Sequence, residues 1–254
     1  MKNLNFYSVI IGTEILNGRR KDAHFTFLNQ ELIKRGWNHK ASFIIVDDKD
    51  LMLQIFNLIK ADLNSVMFCF GGIGTTPDDF TREIAAKAFT QGSMQFHEEA
   101  KQRIIDQFQQ EAYPHRVNMA YLPIKAKLLH NVVNNVAGFY LEDRFFFTPG
   151  FPSMSQSMVI EALDKLYPKN SIKRYKQTIT IETSENDLID IMKQIPQDIE
   201  FSSLPKILED KRFCVIFLAS NSKALIDKYM DMFLYYCNKY KVKYILEDKF
   251  IINI

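Results

Sequence analysis

Gly71-Gly72-Ile73-Gly74-Thr75-Thr76-Pro77-Asp78-Asp79-Phe80-Thr81 lies between two runs of different pattern. Before it, Val66-Met67-Phe68-Cys69-Phe70 is continuously apolar and reads as a buried strand. After it, Arg82-Glu83-Ile84-Ala85-Ala86-Lys87-Ala88-Phe89 reads as a helix. A glycine-rich turn from strand to helix presents backbone N–H groups at a positive helix end, which suits phosphate. Asp78 and Asp79 would repel a bare phosphate. Their presence makes sense if a divalent cation sits between them and the phosphate oxygens. The stretch therefore points to chemistry on a nucleotide or another phosphorylated ligand.

The same alternation extends on both sides. Phe6 to Ile11 reads as a first strand, followed by the turn Gly12-Thr13-Glu14. Asp22 can cap a helix with Phe25, Leu28 and Leu32 on one face and Gly36 at its end. Ser42 to Val46 is the next strand, closed by Asp47 and Asp48. Leu51, Ile55 and Leu58 then form the predicted stripe of a helix. Phe96 to Ala112 reads as a longer polar helix, with strands at Leu128–Val133 and Phe145–Thr148. Pro149-Gly150-Phe151-Pro152 turns into a helix from Ser153 to about Leu166. Strands alternating with helices predict an α/β three-layer sandwich with a mostly parallel sheet. Ligands in such sheets lie beyond the carboxyl ends of strands, where Glu14, Asp47, Asp79 and Gly150 fall.

Tyr167-Pro168-Lys169-Asn170-Ser171 reads as a break between a domain at 1–168 and a small α+β lobe at 172–254. The lobe has strands at Tyr175–Glu182, Ile199–Ser203, Phe213–Ala219 and within Tyr244–Ile252. Its helices are Glu185–Gln194 and Lys223–Tyr240. It holds no glycine loop or paired carboxylates and reads as structural or dimerising.

The 254 residues are 47 % hydrophobic with 21 Phe, enough for a substantial core. A net charge of +2 argues against a dedicated nucleic-acid surface. Cys69, Cys214 and Cys237 are far apart and read as reduced core residues. The start lacks a signal-peptide pattern and no run reaches the length of a membrane span, so a cytoplasmic protein without membrane partners is expected.

The central loop resembles the signature of the molybdopterin-binding (MoCF-biosynthesis) fold, and specifically of its CinA branch. The branch's opening motif is matched by Ile11-Gly12-Thr13-Glu14-Ile15-Leu16-Asn17-Gly18, and its Val-x-Asp element falls at or near Val46-Asp47. Its later Pro-Gly-x-Pro element is matched by Pro149-Gly150-Phe151-Pro152, and Phe201-Ser202-Ser203-Leu204-Pro205 is similar to a stretch of its second lobe. Three positions depart from the pattern. Thr75 replaces a proline, His24 an asparagine, and Met154 a glutamate. Such proteins often continue into an amidohydrolase domain that deamidates nicotinamide mononucleotide. That domain is not among these residues, and its activity is not carried over.

The resemblance implies a divalent-metal-dependent pyrophosphatase cleaving ADP-ribose and related dinucleotides. Mg²⁺ is the expected ion, with Mn²⁺ or Co²⁺ as alternatives. A homo-oligomer is implied as well. Relatives in cofactor synthesis instead adenylylate molybdopterin, and a pterin- or nucleotide-binding module without turnover is a third reading. On the first reading Asp79 is a metal ligand or the base that positions water, and Asp78 assists at the metal. Asp47 completes the carboxylate cluster. Gly71, Gly72, Gly74, Thr75 and Thr76 hold phosphate. Gly12, Glu14, Gly150 and Ser153 complete the substrate-binding set, with Glu14 at a ribose hydroxyl or the metal. Each also has an ordinary structural role open to it. Asp78 and Asp79 suit the positive end of a helix, and Asp47 can cap the helix that follows it. His24 reads as a packing or helix-surface residue, and Phe145-Phe146-Phe147 as core strand.

Overall fold

The computed structural model describes residues 4–170 and 172–247. The chain runs from β1 (Asn5–Ile11) through α1 (Thr13–Leu16) and α2 (His24–Lys34) to β2 (His39–Ile45). Next come α3 (Lys49–Ala61), β3 (Ser65–Phe70) and α4 (Thr81–Phe89). A small antiparallel pair, β4 (Met94–Phe96) with β5 (Tyr121–Pro123), brackets α5 (Glu98–Phe108) and two 3₁₀ turns, Gln109–Ala112 and Arg116–Ala120. The strands β6 (Lys127–Leu129), β7 (Gly138–Leu141) and β8 (Phe145–Thr148) lead into α6 (Pro152–Leu166). The chain divides into two compact units after residue 170.

The first unit is an α/β three-layer sandwich. Its sheet has the order β2-β1-β3-β8-β7-β6, with β2, β1, β3 and β8 parallel and β7 and β6 antiparallel. Alternation along β1 separates the two cores. Tyr7, Val9 and Ile11 join Met52, Phe56 and Ile59 of α3 and Ile84 of α4, while Phe6 and Ile10 join Leu28 and Leu32 of α2 and Met158 and Val159 of α6. β3 is buried along its whole length because it is central and covered on both faces. Chain connections leave β1 in one direction toward β2 and, after β3, in the other toward β8. This reversal opens a crevice at their carboxyl ends.

Several expected boundaries move. The predicted stripe on α3 is one position off: Met52, Phe56 and Ile59 are buried, whereas Leu58 is 59 % exposed. On α2, Leu28 and Leu32 face the core, but Phe25 is exposed and His24 takes the inward position. The helix expected from Phe96 begins after His97, whose Nδ1 accepts from the Ala100 N–H, and gives way to 3₁₀ geometry at Gln109. The strand expected to reach Val133 stops at Leu129, because Asn131 folds the next residues through bonds to Val133 N–H, Asn134 Oδ1 and Val136 O.

The second unit contains β9 (Tyr175–Ile181), α7 (Glu185–Met192), β10 (Glu200–Leu208), β11 (Lys211–Ser220), α8 (Lys223–Tyr240) and β12 (Tyr244–Glu247). These form an antiparallel sheet of order β10-β11-β9-β12 over a core that includes Ile179, Leu188, Ile216, Met230 and Phe233. β10 runs past Ser203, the expected end, and through Pro205 to Leu208. As an edge strand it needs no N–H at Pro205. The last strand, expected within Tyr244–Ile252, is described at Tyr244–Glu247, and positions beyond 247 lie outside the described residues. Burial raises all three cysteine thiols, Cys214 to about 12, so none is a ready thiolate.

Candidate active site

A cavity of about 450 Å³ opens at the carboxyl ends of β1, β2, β3 and β8. Its wall includes Gly12, Glu14, Asp47, Gly71, Gly72, Gly74, Thr75, Thr76, Asp78, Asp79 and Gly150. Of the expected set, only Ser153 is off the wall. Successive helix residues are separated by about 100°, so the first turn of α6 presents Met154 inward and leaves Ser153 exposed.

The glycine loop is shaped by backbone contacts. The Gly71 N–H donates to Thr148 O, and Thr81, fully buried, donates its hydroxyl to Gly71 O and its N–H to Gly72 O. Gly71 and Gly72 have φ of +104° and +67°. A Cβ on Gly71 would collide with the carbonyl oxygen of Ile11, and one on Gly72 with Thr81 Oγ1. Only glycine fits at both positions. Among the described residues, the N–H groups of Gly72, Ile73, Gly74 and Thr75 have no acceptor. Consecutive donors without a protein acceptor on a cavity wall are the kind of feature that anion-binding nests use.

Two carboxylates are each anchored by one oxygen. Asp79 Oδ2 accepts from the Thr76 N–H at 2.7 Å and the Thr76 hydroxyl at 2.5 Å. Asp47 Oδ2 accepts from the Thr13 N–H at 2.9 Å and the Thr13 hydroxyl at 2.8 Å, and the Asp47 N–H returns to Thr13 Oγ1. Asp47 is thus a tie between β2 and α1. The cap of α3 is Asp48, which accepts from the Leu51 N–H. Among the described residues neither Asp47 Oδ1 nor Asp79 Oδ1 takes a hydrogen bond from a protein group.

Three arginines that the sequence reading did not single out complete the site. Arg20 donates to Gly150 O at 2.8 Å, lies 3.6 Å from Glu14 Oε1 and stacks over Phe151. Arg116 lines the cavity and covers Phe108. Arg82 sits behind the loop and donates Nη1 to the carbonyls of Ile73 and Gly74. Burial lowers its pKa while Asp79 opposes that shift. A cation in the first turn of a helix runs against the helix dipole, and that signal marks Arg82 in the sequence as serving something other than its helix. His24 is buried, stacked on Phe70 at 4.5 Å, with Nε2 3.2 Å from Gly150 O.

No group of three or more His, Cys, Asp or Glu among the described residues is placed to hold a metal. The two uncommitted carboxylate oxygens fit an ion such as Mg²⁺, which keeps waters and takes one or two carboxylates together with phosphate oxygens. No helix among the described residues is long and apolar enough to cross a membrane.

Residues 8–168 match the family model described as the probable molybdopterin binding domain. A protein of Caldivirga maquilingensis is 31 % identical over 168 residues, which make up 63 % of this chain and 64 % of that one. A CinA-like protein of Prochlorococcus marinus is 27 % identical over 71 % of this chain and 47 % of its own length. One of Sulfurihydrogenibium is also 27 % identical, over 78 % of this chain and 51 % of its own. The chain thus spans about half the length of these two CinA-like relatives. The crystal structure of the protein CinA from Thermoplasma acidophilum superimposes with a TM-score of 0.57 at 25 % identity, covering 65 % of this chain and 98 % of that one. The chain belongs to the MoCF-biosynthesis family, the probable molybdopterin binding domain, as a CinA-like member.

Proposed function

We propose that the chain is a divalent-cation-dependent nucleotide pyrophosphatase acting on ADP-ribose-like dinucleotides. One observation carries the reading: four acceptor-free amides, Gly72 to Thr75, share a cavity with two carboxylates that each keep one oxygen uncommitted. The amides bind the diphosphate, and Thr75 and Thr76 border it. Asp79 Oδ1 orients a water, whose oxygen attacks one phosphorus as the bridging P–O bond breaks, giving AMP and ribose 5-phosphate. A divalent cation held by Asp79 and Asp78 with the diphosphate would neutralise charge and acidify that water. Arg20 and Gly150 shape the wall against which the nucleoside rests.

The test is AMP release from ADP-ribose with Mg²⁺, Mn²⁺ or Co²⁺. Asp79→Ala should lower kcat by about 10²–10⁴, the usual range for a positioned proton-transfer group. Equal rates for wild type and variant would remove Asp79 from the chemistry. A second reading, binding without turnover, is favoured by the thioether of Met154 on the wall where the resemblance expects a carboxylate. Tight ADP-ribose binding with no product under any of the three ions would select it. AMP transfer from ATP to a pterin, without ADP-ribose hydrolysis, would select adenylyl transfer instead.

A further inference from the structure

A second cavity, of about 460 Å³, adjoins the first within the same unit. Asp79 lines both cavities, and so does the 3₁₀ turn Arg116–Ala120. Arg116 and Met119 face the first, and Asn118 faces the second. The remaining wall of the second cavity is unlike the first. Phe96 of β4 and Tyr121 of β5 are directly paired across the strands, with ring centroids 5.2 Å apart, and Met94 stands beside them.

This aromatic pair is not core. Phe96 and Tyr121 are each 42 % exposed, whereas the core pair Phe68 and Phe146 of the same unit is fully buried. Two of the three charged groups of the second cavity are engaged by protein groups, and the third, Asp79, is shared with the first cavity and keeps Oδ1 uncommitted. Arg82 Nη1 is bound to the loop carbonyls, and Glu83 is paired with Lys49 and Lys87. Asn118 makes a single long side-chain bond, Nδ2 to Pro114 O at 3.4 Å. Beside Asp79 stand two partly exposed aromatic rings, Phe96 with Lys101 Nζ 5.6 Å from its centroid, a thioether and one amide with hydrogen-bonding capacity. Such rings stack on a planar heteroaromatic group, Asn118 can bond its polar edge, and the carboxylates of Asp79 and Glu83 disfavour a bare phosphate.

We propose that the two cavities are the two halves of one ligand site. The diphosphate lies at the glycine loop, the first nucleoside in the first cavity, and a second planar heteroaromatic group against Phe96 and Tyr121. The preferred ligands then carry a ring at each end of the diphosphate, so ADP-ribose, with one ring, fills only half the site. This rests on the diphosphate site proposed above.

Calorimetric titration of the whole chain with two non-hydrolysable probes separates the two ideas. One is α,β-methylene-ADP, with a single base, and the other is its bis-adenosine counterpart, with two. Wild type should bind the two-base probe roughly fivefold to a hundredfold more tightly, the range given by one stacked base. Phe96→Ala with Tyr121→Ala should erase that preference and leave the one-base affinity unchanged, which also reports an intact fold. Phe96→Tyr with Tyr121→Phe should retain it. Equal affinities in wild type, or a preference that survives the alanine pair, would overturn the second subsite while leaving the diphosphate site standing. Failure of both probes to bind would overturn both.

Discussion

The buried His24 donates Nε2–H to the carbonyl oxygen of Gly150, 126 residues away, at 3.2 Å. A carbonyl only accepts, so this bond fixes the tautomer. Nδ1 is then the acceptor for the Ser155 hydroxyl at 3.3 Å. Arg20 donates to the same carbonyl, and the close approach of Gly150 to Gly71 brings this network against the glycine loop. The histidine that stands where the resemblance expects asparagine thus holds one wall of the cavity from behind, without lining it.

This tautomer makes stability acid-sensitive. Burial lowers the His24 pKa, with the Gly150 carbonyl opposing it, and burial lowers that of His39 as well. The folded protein therefore binds these protons more weakly than the unfolded chain, and protonation favours unfolding. The stabilisation is complete above the unfolded value of about 6.5 and is lost as pH falls below it toward the lower folded values. Urea midpoints should hold steady from pH 8 to 7 and drop from 6.5 to 5, with a shallower drop in His24→Asn. A wild-type midpoint flat across that range would contradict the neutral, buried imidazole.

Gly72 should tolerate no side chain. Alanine there combines a positive φ with a collision at Thr81 Oγ1, the atom that anchors Gly71. Left-handed backbone costs about 1–2 kcal/mol and overpacking about 1–3 kcal/mol. Gly18→Ala is the matched control, since Gly18 has φ +78° but nothing within 4 Å of an added Cβ. Gly72→Ala should lose at least about 2 kcal/mol in denaturant unfolding, and Gly18→Ala only about 1 kcal/mol. Equal losses would mean that the loop relaxes around the new methyl.

Arg82 braces the nest from behind. Arg82→Met keeps the apolar stem but leaves the carbonyls of Ile73 and Gly74 without their donor, at a cost of about 1–3 kcal/mol. With those carbonyls released, the loop amides lose their alignment. Affinity for α,β-methylene-ADP should fall about tenfold, equivalent to about 1.4 kcal/mol. Arg82→Lys should recover only part of it, since one ammonium cannot reproduce the guanidinium fork. Reduced stability with unchanged affinity would make Arg82 a packing residue alone.

The sequence carried the parallel layout because β1, β3 and β8 are apolar runs long enough to be read, and because the glycine loop has a pattern of its own. The strands β4, β5 and β7 were not legible: β4 and β5 have three residues each, too few to show alternation, and β7 opens on Gly138 without the unbroken phenylalanine run that marks β8. That gap hid the Phe96–Tyr121 pair, which becomes a pair only once the two strands, separated by α5, are brought together. The carboxylates of the site were readable because they follow strands: Glu14 after β1, Asp47 after β2, and Asp78 and Asp79 after β3. Arg20 and Arg116 were not, because they reach the cavity from segments with no motif. Ser153 was misplaced by one helix position, the step that separates it from Met154.

Met154 offers a direct test of the cation. The cavity wall already holds Glu14, Asp47, Asp78 and Asp79 against Arg20 and Arg116, and the Met154 thioether lies 4.0 Å from Asn134 Nδ2. Met154→Glu adds a fifth negative charge. Without a divalent ion that charge repels the diphosphate by about 1–2 kcal/mol at partly exposed sites, roughly a five- to thirtyfold loss of α,β-methylene-ADP affinity. With Mg²⁺ present the new carboxylate becomes an additional ligand or outer-sphere acceptor. The loss should then vanish, and the half-saturating Mg²⁺ concentration should fall below that of wild type. An affinity penalty that persists unchanged at saturating Mg²⁺ would mean that no cation joins diphosphate and carboxylates in this cavity. The reading of Asp78 and Asp79 as cation ligands would then fall, while the nest formed by Gly72 to Thr75 would still account for anion binding by amides alone.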